Sequence, residues 1–458
     1  MKLRYASVAL AGATILAACS DVPTTPSVAP RAASTSAAIG INVLLTQPLN
    51  ASLRAQLETY GAVLDEIPEI KALTMRIASG DLDAVRALPF VAAASPDAKR
   101  QGAPVDAVAA SDFAGGRSSW NLDAINVTSG PGNATRSVAE TGAGVYVGIL
   151  DSGLLDSWRQ YFPEERVATG LARAFGGGGG EVGSVSEQPN KWEHDQNSHG
   201  THVTSTVLGF NITGVNINGV APMATVIPVK VLNADGWGWS SVIARGIVYI
   251  TDLKRDGALG TSPAVINISI GGPVLDPVEK AAVEYAVSQG VIIVAAAGNE
   301  GTDGMSYPGA YAPVISAAAS GWKKEFTTAS WWHALDVPDP IDASDFFIAG
   351  FSSRKISADQ DLDVAAPGQS VVGPYQFTSG QLSYYYLNGT SMASPHVAGI
   401  VALMAERKPT LTASEAEGIL ESTAVAIPGV PATVQGSGLA TADRALAKLS
   451  TTATGKRK

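Results

Sequence analysis

Three near-continuous apolar runs constrain the fold of this chain most strongly. They are Val145–Leu150, Ala264–Ile270 and Val291–Ala297. Runs of this kind are typical of parallel strands that are buried on both faces of a sheet. Segments with helical periodicity follow, for example Pro277–Gln289 and Pro395–Glu406. Because strands alternate with helices, the sequence predicts an α/β fold with a mainly parallel sheet.

The first 19 residues have the pattern of an export signal. Lys2 and Arg4 precede an apolar run over residues 6–18, which is too short to span a bilayer as a mature helix. The tetrad Leu-Ala-Ala-Cys that ends at Cys19 resembles a bacterial lipoprotein signal, in which the cysteine carries the lipid. The alternative is an ordinary secretory signal with an incidental cysteine. Both interpretations predict an exported protein. The first makes it a cell-envelope lipoprotein whose only membrane contact is the lipid on Cys19, and the second makes it a secreted protein.

Composition and periodicity divide the rest of the chain into segments. Residues 20–38 are rich in Ser, Thr, Pro and Ala, which predicts a disordered tether. Residues 39–98 show the order β-α-β-β-α-β, which is typical of a small ferredoxin-like α+β domain. Residues 99–119 are polar and aperiodic and are predicted to be a linker. Strands and helices then alternate over residues 120–449, and residues 450–458 are predicted to be a disordered tail.

Two stretches interrupt this alternation and are predicted to be surface insertions. The first covers residues 155–197 and contains a run of five glycines, Gly176–Gly180. The second covers residues 321–350 and carries the aromatic residues Trp322, Trp331, Trp332, Phe346 and Phe347. The sequence does not indicate what either stretch does.

Three short motifs supply the residue types that acyl transfer requires. Asp151 follows a predicted buried strand in Asp-Ser-Gly, His199 begins His-Gly-Thr-His-Val, and Ser391 lies in Gly-Thr-Ser-Met-Ala-Ser-Pro. Acyl transfer needs a nucleophile, a base beside it and a carboxylate that orients the base. Ser391 would be the nucleophile at a helix start, His199 the base, and Asp151 the orienting carboxylate. Pro395 is predicted to lie in the first turn of that helix.

Each of these residues alone also has an ordinary structural interpretation. An aspartate after a strand is often a turn residue, and a serine at a helix start is often an N-cap. His199 and His202 could be a metal pair, although no third ligand is evident. The joint occurrence of the three motifs favours catalysis. We predict that His202 and His396 pack structurally, and His194 and His333 receive no assignment.

The chain order Asp, His, Ser and the three motifs resemble those of the subtilisin-like serine proteases, the subtilase family. The resemblance covers about residues 120–449, and the Ser391 motif is its most specific part. It implies a three-layer α/β catalytic domain that hydrolyses polypeptides as a serine endopeptidase through an acyl-enzyme on Ser391, with no cofactor for the chemistry. Residues 39–98 would be an inhibitory propeptide of a self-processing zymogen, cut within residues 99–119, although a generic small α+β adaptor would show the same order of elements. We expect a monomer, and the net charge of -10 without a Lys/Arg cluster argues against a nucleic-acid partner.

The same resemblance assigns further site residues. Asn299 would donate its side-chain amide to the oxyanion, together with the Ser391 backbone amide. The residues implied to contact substrate are Ser269, Ile270, Gly271, Ala296, Ala297, Gly298 and Ser306. The first three would pair with an extended substrate backbone, and the others would line the pocket for the residue before the scissile bond. Many relatives have glycine in place of Ser306, and the following Tyr307–Pro308 bond resembles one that is cis in the family.

A structural calcium ion and two other functions stay open. Residues 210–222 resemble a calcium loop with Asn211 and Asn216 as oxygen ligands, but Gln160 stands where the family has an aspartate. One other function is acyl transfer to an amine on the same fold, as in a peptide ligase or macrocyclase, which product masses in the presence of an amine would identify. The other is an inactive envelope-binding module, which is disfavoured because all four catalytic positions carry competent residues.

Overall fold

The structure is a computed structural model that describes residues 37–102, 106–109, 120–129, 135–180, 186–187, 191–212, 215–325 and 337–454. The predicted export signal with Cys19 and nearly all of the predicted tether lie outside the described residues. Trp331, Trp332 and His333 also lie outside them. None of the described helices is both long enough and apolar enough to cross a membrane.

Six elements form a small N-terminal unit: β1 (Ala38–Leu45), α1 (Ala51–Glu58), β2 (Gly61–Ile67), β3 (Ala72–Ala78), α2 (Leu82–Arg86) and β4 (Val91–Pro96). The strands form an antiparallel sheet in the order β2-β3-β1-β4. Alternate residues of the strands, such as Val43 and Met75, are fully buried beneath the two helices. The predicted order β-α-β-β-α-β of this segment is confirmed, and its strand order is that of a ferredoxin-like domain.

The remaining elements follow in chain order: β5 (Lys99–Gln101), β6 (Asp106–Ala109), α3 (Trp120–Ala124), β7 (Thr128–Ser129), β8 (Thr135–Arg136), β9 (Tyr146–Asp151), β10 (Arg173–Gly176), β11 (Ser186–Glu187), α4 (His199–Leu208), β12 (Gly209–Ile212), β13 (Val215–Asn218), β14 (Thr225–Lys230), β15 (Trp237–Trp239), α5 (Ser240–Arg255), β16 (Ala264–Ile268), α6 (Pro277–Ser288), β17 (Ile292–Ala296), β18 (Ile315–Trp322), β19 (Phe346–Ile348), β20 (Val364–Pro367), β21 (Val371–Pro374), β22 (Tyr384–Asn388), α7 (Thr390–Arg407), α8 (Ala413–Thr423), α9 (Ala432–Gln435) and α10 (Ala442–Thr454). Smaller pairings join β7 to β8, β12 to β13, and β6 to β22 to β21.

Nine strands form the central sheet in the order β11-β10-β14-β9-β16-β17-β18-β19, with β20 also paired to β18. All pairs from β10 through β18, and the pair of β18 with β20, are parallel. The two end strands β11 and β19 pair antiparallel. Every residue of β16 and β17 is buried, as the apolar runs predicted. The predicted α/β fold with a mainly parallel sheet is therefore confirmed.

Helices cover both faces of this sheet and complete three layers. Val147 and Ile149 of β9 pack in one core with residues of α4 and α7 such as Val203 and Val397. On the other face, Leu150 packs in a second core with residues of α5 and α6. Because the carboxyl ends of parallel strands meet at one edge, the residues that follow β9, β16 and β17 converge there.

Both predicted surface insertions contribute instead to buried cores, so this prediction is wrong. In residues 155–197, β10 and β11 extend the central sheet, and Trp158 and Trp192 pack in its main core. In residues 321–350, Trp322 and Phe346 pack in a separate apolar cluster. A large aromatic side chain can bury much apolar surface even where the backbone is irregular. Such stretches have no regular apolar periodicity, which is the signal that predicts burial from sequence.

The structure also differs from the predicted linker over residues 99–119 and from the predicted start of the C-terminal tail. The predicted linker contains β5 and β6, which pair with strands far along the chain. Such strands are held by main-chain hydrogen bonds and need no apolar period of their own. The predicted tail begins later than expected because α10 continues to Thr454.

Candidate active site

Two of the three candidate catalytic residues are in direct contact. Asp151 is the last residue of β9, and His199 is the first residue of α4. His199 Nδ1 lies 2.8 Å from Asp151 Oδ1 and 3.0 Å from Oδ2, and both side chains are fully buried. Burial alone would lower the pKa of His199, but the charge and hydrogen bond of Asp151 outweigh it and raise this pKa above its ordinary value. The pair can therefore hold a proton on Nδ1 and present Nε2 as a base.

Ser391 lies in the first turn of α7, where its hydroxyl donates to the Ser269 carbonyl at 2.8 Å. His199 Nε2 is buried without a hydrogen-bond partner among the described residues. The structure thus joins Asp151 to His199 and Ser391 to Ser269, and the described hydrogen bonds include none between Ser391 and His199. A Cβ added to Gly102 would lie 3.2 Å from both His199 Cε1 and the Ser269 carbonyl oxygen, the acceptor of the Ser391 hydroxyl, so Gly102 lies next to both halves of the site.

Pro395 lies inside α7 and not in its first turn, because the helix begins earlier than predicted, at Thr390. A proline has no N–H to donate to the carbonyl four residues before it, which here is that of Ser391. The Ser269 hydroxyl donates to this carbonyl instead, at 2.8 Å. Because Pro395 cannot bond the Ser391 carbonyl, this carbonyl accepts from the Ser269 hydroxyl, and the bond ties the Ser391 backbone to Ser269.

The side chain of Asn299 is anchored next to Ser391. Its Oδ1 accepts hydrogen bonds from the backbone N–H and the hydroxyl of Thr390, each at 2.9 Å. The Thr390 hydroxyl in turn accepts from the Gly298 N–H at 3.1 Å. These bonds fix the plane of the Asn299 carboxamide at the positive end of α7, which suits a donor to a developing oxyanion.

The predicted substrate-pairing segment is engaged by the chain itself. Gln101 and Gly271 exchange two backbone hydrogen bonds of 2.8 and 3.0 Å, and Gly102 N–H donates to the Gly236 carbonyl at 3.0 Å. Residues 99–102 therefore run as an extended strand between Gly271 on one side and β15 on the other. A Cβ added to Gly102 would lie 2.5 Å from Ile270 Cγ2 and 3.2 Å from His199 Cε1, so this strand reaches the imidazole.

The second wall of this cleft, β15 with Gly236 before it, was missed by the sequence analysis. The available signal was the alternation of glycine and tryptophan from Gly236 to Trp239, directly before α5. Small residues leave room for a neighbouring backbone, and aromatic residues between them offer contact area. The strand of residues 99–102 gave no signal in the sequence, because its pairing with β15 and Gly271 is made by main-chain hydrogen bonds that any residue can form.

The predicted pocket for the residue before the scissile bond has a polar floor. Ser306 and Ser353 both donate hydroxyl hydrogen bonds to Glu300 Oε2, at 3.0 and 2.9 Å. A Cβ on Gly298 would collide with these three side chains, whose atoms would lie 2.5–2.7 Å from it. Ala296 and Ala297 are buried beside it, and the Tyr307–Pro308 bond is cis. Glu300 and Ser353 were not predicted from the sequence, because they lie 53 residues apart along the chain.

A buried carboxylate and a lysine support the start of α4, and neither was singled out from the sequence. Asp195 Oδ1 accepts from the N–H groups of Asn197 and Ser198, both at 2.9 Å, just before His199. Burial raises the pKa of Asp195 to about 6, and the nearby charge of Lys230 opposes that rise. Lys230 Nζ donates a hydrogen bond of 2.5 Å to the backbone carbonyl of Ser152, the residue after Asp151. This pair therefore fixes the backbone on both sides of the Asp151–His199 contact.

The other two buried histidines act as packing residues. His202 Nε2 donates to the Val371 carbonyl at 3.0 Å, and burial lowers the pKa of His202 to about 3. His396 Nδ1 donates to the Met392 carbonyl at 2.7 Å, and burial lowers the pKa of His396 to about 4. Both rings are thus neutral near pH 7, which agrees with their predicted structural roles.

Three carboxylates, those of Asp361, Asp363 and Glu417, could hold a cation. Their oxygens lie within 4.8 Å of one another. Asp363 is 1% exposed, and its Oδ1 has no hydrogen-bond partner among the described residues. Burial raises the pKa of Asp363 and of Glu417 to about 7, and the neighbouring carboxylates add to both shifts. An all-oxygen set with an orphaned buried oxygen fits a hard cation such as Ca²⁺.

The calcium ligands predicted from the sequence lie elsewhere. Asn211 and Asn216 are cross-strand partners in the β12–β13 hairpin. Gln160 ends a short 3₁₀ turn, Trp158–Gln160. No observation links these residues to a metal, so their assignment stays a prediction.

Comparisons with known proteins identify relatives of this chain. The sequence profile of the subtilase family matches residues 142–448. Subtilisin DY of Bacillus licheniformis is 36% identical over 288 residues, which are 62% of this chain and 84% of that protein. Subtilisin E of Bacillus subtilis is 35% identical over 295 residues, 64% of this chain and 63% of that protein. The M-protease of Shouchella clausii is 29% identical over 395 residues, 86% of this chain and 84% of that protein.

A solved structure shares the fold. It is that of fervidolysin from Fervidobacterium pennivorans, a keratinolytic enzyme related to subtilisin. The TM-score is 0.65 at 23% identity, and the match covers 90% of this chain. The chain spans less than two thirds of fervidolysin, 61%, and of subtilisin E, 63%.

Proposed function

We propose that this chain, which belongs to the subtilase family, is an exported serine endopeptidase made as a self-processing zymogen. The family match and the subtilisin relatives support serine endopeptidase activity. The observation that carries the residue assignment is the buried Asp151–His199 pair beside the start of α7, where Ser391 lies.

The proposed reaction follows from the chemistry of these groups. Ser391 Oγ attacks the scissile carbonyl carbon while His199 Nε2 takes its proton, and the new oxyanion accepts hydrogen bonds from Asn299 and the Ser391 N–H. His199 then gives the proton to the leaving amine, which leaves an acyl-enzyme. Water then attacks the ester of the acyl-enzyme while His199 Nε2 takes a proton from it. The bond between the acyl group and Ser391 Oγ breaks, and His199 returns the proton to Ser391 Oγ. Asp151 holds Nδ1 throughout and stabilises the imidazolium.

The zymogen proposal rests on what covers the cleft. The N-terminal unit lies on α5 and α6, where Arg245 of α5 bonds both Asp65 oxygens, at 2.8 and 2.9 Å. Residues 99–102 then continue from this unit along the cleft to His199. A chain in this state would exclude substrate, so cutting between about residues 97 and 118 would be needed for activity.

Intact masses of the purified protein and of its Ser391→Ala variant test this proposal. The wild-type chain should lose its N-terminal segment, whereas Ser391→Ala should keep it after export. Processing of Ser391→Ala at the same site in a protease-deficient host would contradict self-processing. A diacylglycerol mass on Cys19 would identify a lipoprotein, and its absence after signal cleavage would identify a secreted protein.

We expect the hydrolysis rate of a neutral peptide to rise with pH along a limb centred above about 6.5, the ordinary pKa of histidine. Asp151 raises the pKa of His199, and only the unprotonated imidazole can accept the Ser391 proton. The rate is therefore low below that pKa and reaches a plateau above it. A profile of kcat/KM from pH 5 to 9 checks this, and a flat profile would exclude His199 as the base.

We also propose that the cluster of Asp361, Asp363 and Glu417 binds calcium as a structural ion. Millimolar Ca²⁺ should raise the Tm by about 5 °C over EDTA if it is near 100 times its Kd. Asp363→Asn should remove this rise, because it removes one charge from the cluster. Asp359→Asn, at an exposed position nearby, is the matched control and should keep it. Equal Tm values in Ca²⁺ and EDTA for the wild type would overturn the site.

A further inference from the structure

The strand formed by residues 99–102 also indicates which side chains the cleft accepts. It makes the backbone pairing expected of an extended substrate, on Gly271 on one side and on β15 on the other. A bound peptide that paired with Gly271 as Gln101 does, and reached His199 as Gly102 does, would present the carbonyl of its next residue to Ser391. In such a peptide, the residue at the position of Arg100 is the fourth before the cleaved bond.

The side chain of Arg100 is held by an ion pair with two parallel hydrogen bonds. Its Nε donates to Glu279 Oε1 at 2.9 Å, and its Nη2 donates to Glu279 Oε2 at 2.7 Å. Nη2 also donates to the Val274 carbonyl, and Nη1 to that of Lys99, each at 3.0 Å. Both side chains are 0% exposed. A planar guanidinium fits a carboxylate in this way, whereas an ammonium group cannot make the paired contact.

Glu279 belongs to the catalytic domain, and the capped start of α6 holds its backbone. It lies in the first turn of α6, where Asp276 Oδ1 caps the N–H groups of Val278 and Glu279 at 2.9 and 3.2 Å. The helix start favours negative charge at this position. Burial raises the pKa of Glu279, and the Arg100 guanidinium opposes that rise. A Cβ on Gly272 would collide with the Lys99 carbonyl and approach the guanidinium, so this glycine leaves the space they fill.

We propose that Glu279 is a specificity-determining residue that selects arginine as the fourth residue before the cleaved bond in protein substrates. This inference rests on the proposed endopeptidase function. An apolar side chain at this position would cover a buried carboxylate and leave it without a partner, which is unfavourable. Lysine could supply the charge but only one hydrogen bond at a time, so it should rank below arginine.

The cleft should also show a weaker preference for a basic side chain at the position before this arginine, where Lys99 lies. Lys99 Nζ lies 4.6 Å from the centre of the Trp237 ring and 5.8 Å from that of Trp239. Lys99 is exposed, so this cation–π contact contributes less than the buried ion pair. The cleft would thus favour peptides that carry a basic residue followed by arginine.

The test uses the processed enzyme obtained from the full chain and four substrates, acetyl-Lys-X-Gln-Gly-Ala-p-nitroanilide with X as arginine, lysine, citrulline or leucine. Citrulline keeps the shape of arginine without its charge. We expect kcat/KM for arginine to exceed that for citrulline and leucine by about 10- to 100-fold, the range of a charged hydrogen bond. Glu279→Gln should reduce this ratio to about twofold. Glu284→Gln, at an exposed position of the same helix, should keep the wild-type ratio.

The wild-type substrate series decides the proposal even if Glu279→Gln fails to fold. Rates for arginine and leucine within twofold of each other would overturn it while leaving the endopeptidase assignment intact. An arginine preference that persists in folded Glu279→Gln would also overturn the role of this residue. Failure of the enzyme to hydrolyse any of the four substrates, or casein, would instead contradict the proposed function and the inference with it.

Discussion

Ser391→Ala is expected to lower kcat/KM for peptide hydrolysis by about a thousandfold or more while leaving the fold intact. The variant removes the atom that would form the acyl-enzyme. The hydroxyl makes one hydrogen bond, to the Ser269 carbonyl, so its loss should cost only about 1 kcal/mol of stability. Hydrolysis rates and thermal unfolding of the same preparations measure both effects.

Ser394→Ala is the matched control, because Ser394 is also a buried serine of α7 and bonds Asn267 Oδ1 at 2.9 Å. It should keep at least about a tenth of the wild-type rate, since its hydroxyl bonds only Asn267 and Ser269 among the described hydrogen bonds and has no place in the proposed chemistry. His199→Ala should lose about as much activity as Ser391→Ala, and the double variant should be little worse, because the two groups act as a unit. More than a tenth of wild-type turnover in pure Ser391→Ala would overturn the assignment of the nucleophile.

The same preparations separate the remaining functions. A fluorophosphonate probe should label the wild-type chain and not Ser391→Ala, whereas an inactive binding module would take up no label. Product masses in the presence of an added amine distinguish hydrolysis from transfer. A product that carries the amine in place of water would identify a peptide ligase or macrocyclase.

The central sheet could be predicted from the sequence because its signals are local. Buried parallel strands are apolar over their whole length, and β16 and β17 are buried at every position. Asp151, His199 and Ser391 could be singled out because each lies in a short motif at the end of a strand or the start of a helix. Such motifs carry their chemical meaning within a few residues.

Features that depend on distant pairs could not be predicted in this way. Arg100 and Glu279 are 179 residues apart in the sequence and look like ordinary surface charges until the fold brings them together. Asp195 lies in the loop before α4 and Lys230 ends β14, the neighbour of β9, so only the fold brings their charges close together. The strand of residues 99–102 has no period of its own, since its partners supply the order through backbone hydrogen bonds.

The N-terminal unit is expected to accelerate folding of the catalytic domain, and Asp97 explains how. The first residues of α5 have no side-chain cap from their own preceding residue, Trp239. Asp97, at the end of the unit, supplies one: its Oδ1 accepts from Ser240 Oγ and Ser241 N–H at 2.9 and 3.1 Å. Its Oδ2 accepts from Ser241 Oγ at 2.5 Å and from Gly179 N–H at 2.7 Å.

Asn42 extends this contact to a second helix. Its Nδ2 donates to Asp97 Oδ1 at 3.1 Å and to Asp276 Oδ2 at 2.8 Å, and Asp276 caps α6. The unit therefore holds the starts of two neighbouring helices that cover one face of the parallel sheet. Parallel sheets close through long-range contacts and fold slowly, so a surface that fixes α5 and α6 early should lower the barrier.

A chain that starts at about Ser118 should therefore refold at least about tenfold more slowly than the same chain with residues 37–98 added in trans. Asp97→Asn in the added unit should remove most of this gain, because it weakens a buried, charge-assisted cap of α5 and leaves an unmatched amide there. Asp83→Asn is the matched control, since Asp83 is 91% exposed and pairs only with Arg86 of its own helix among the described ion pairs. Recovery of activity against a peptide substrate, followed over time, gives the rates. Equal rates with and without the unit, or full acceleration by Asp97→Asn, would contradict the capping mechanism.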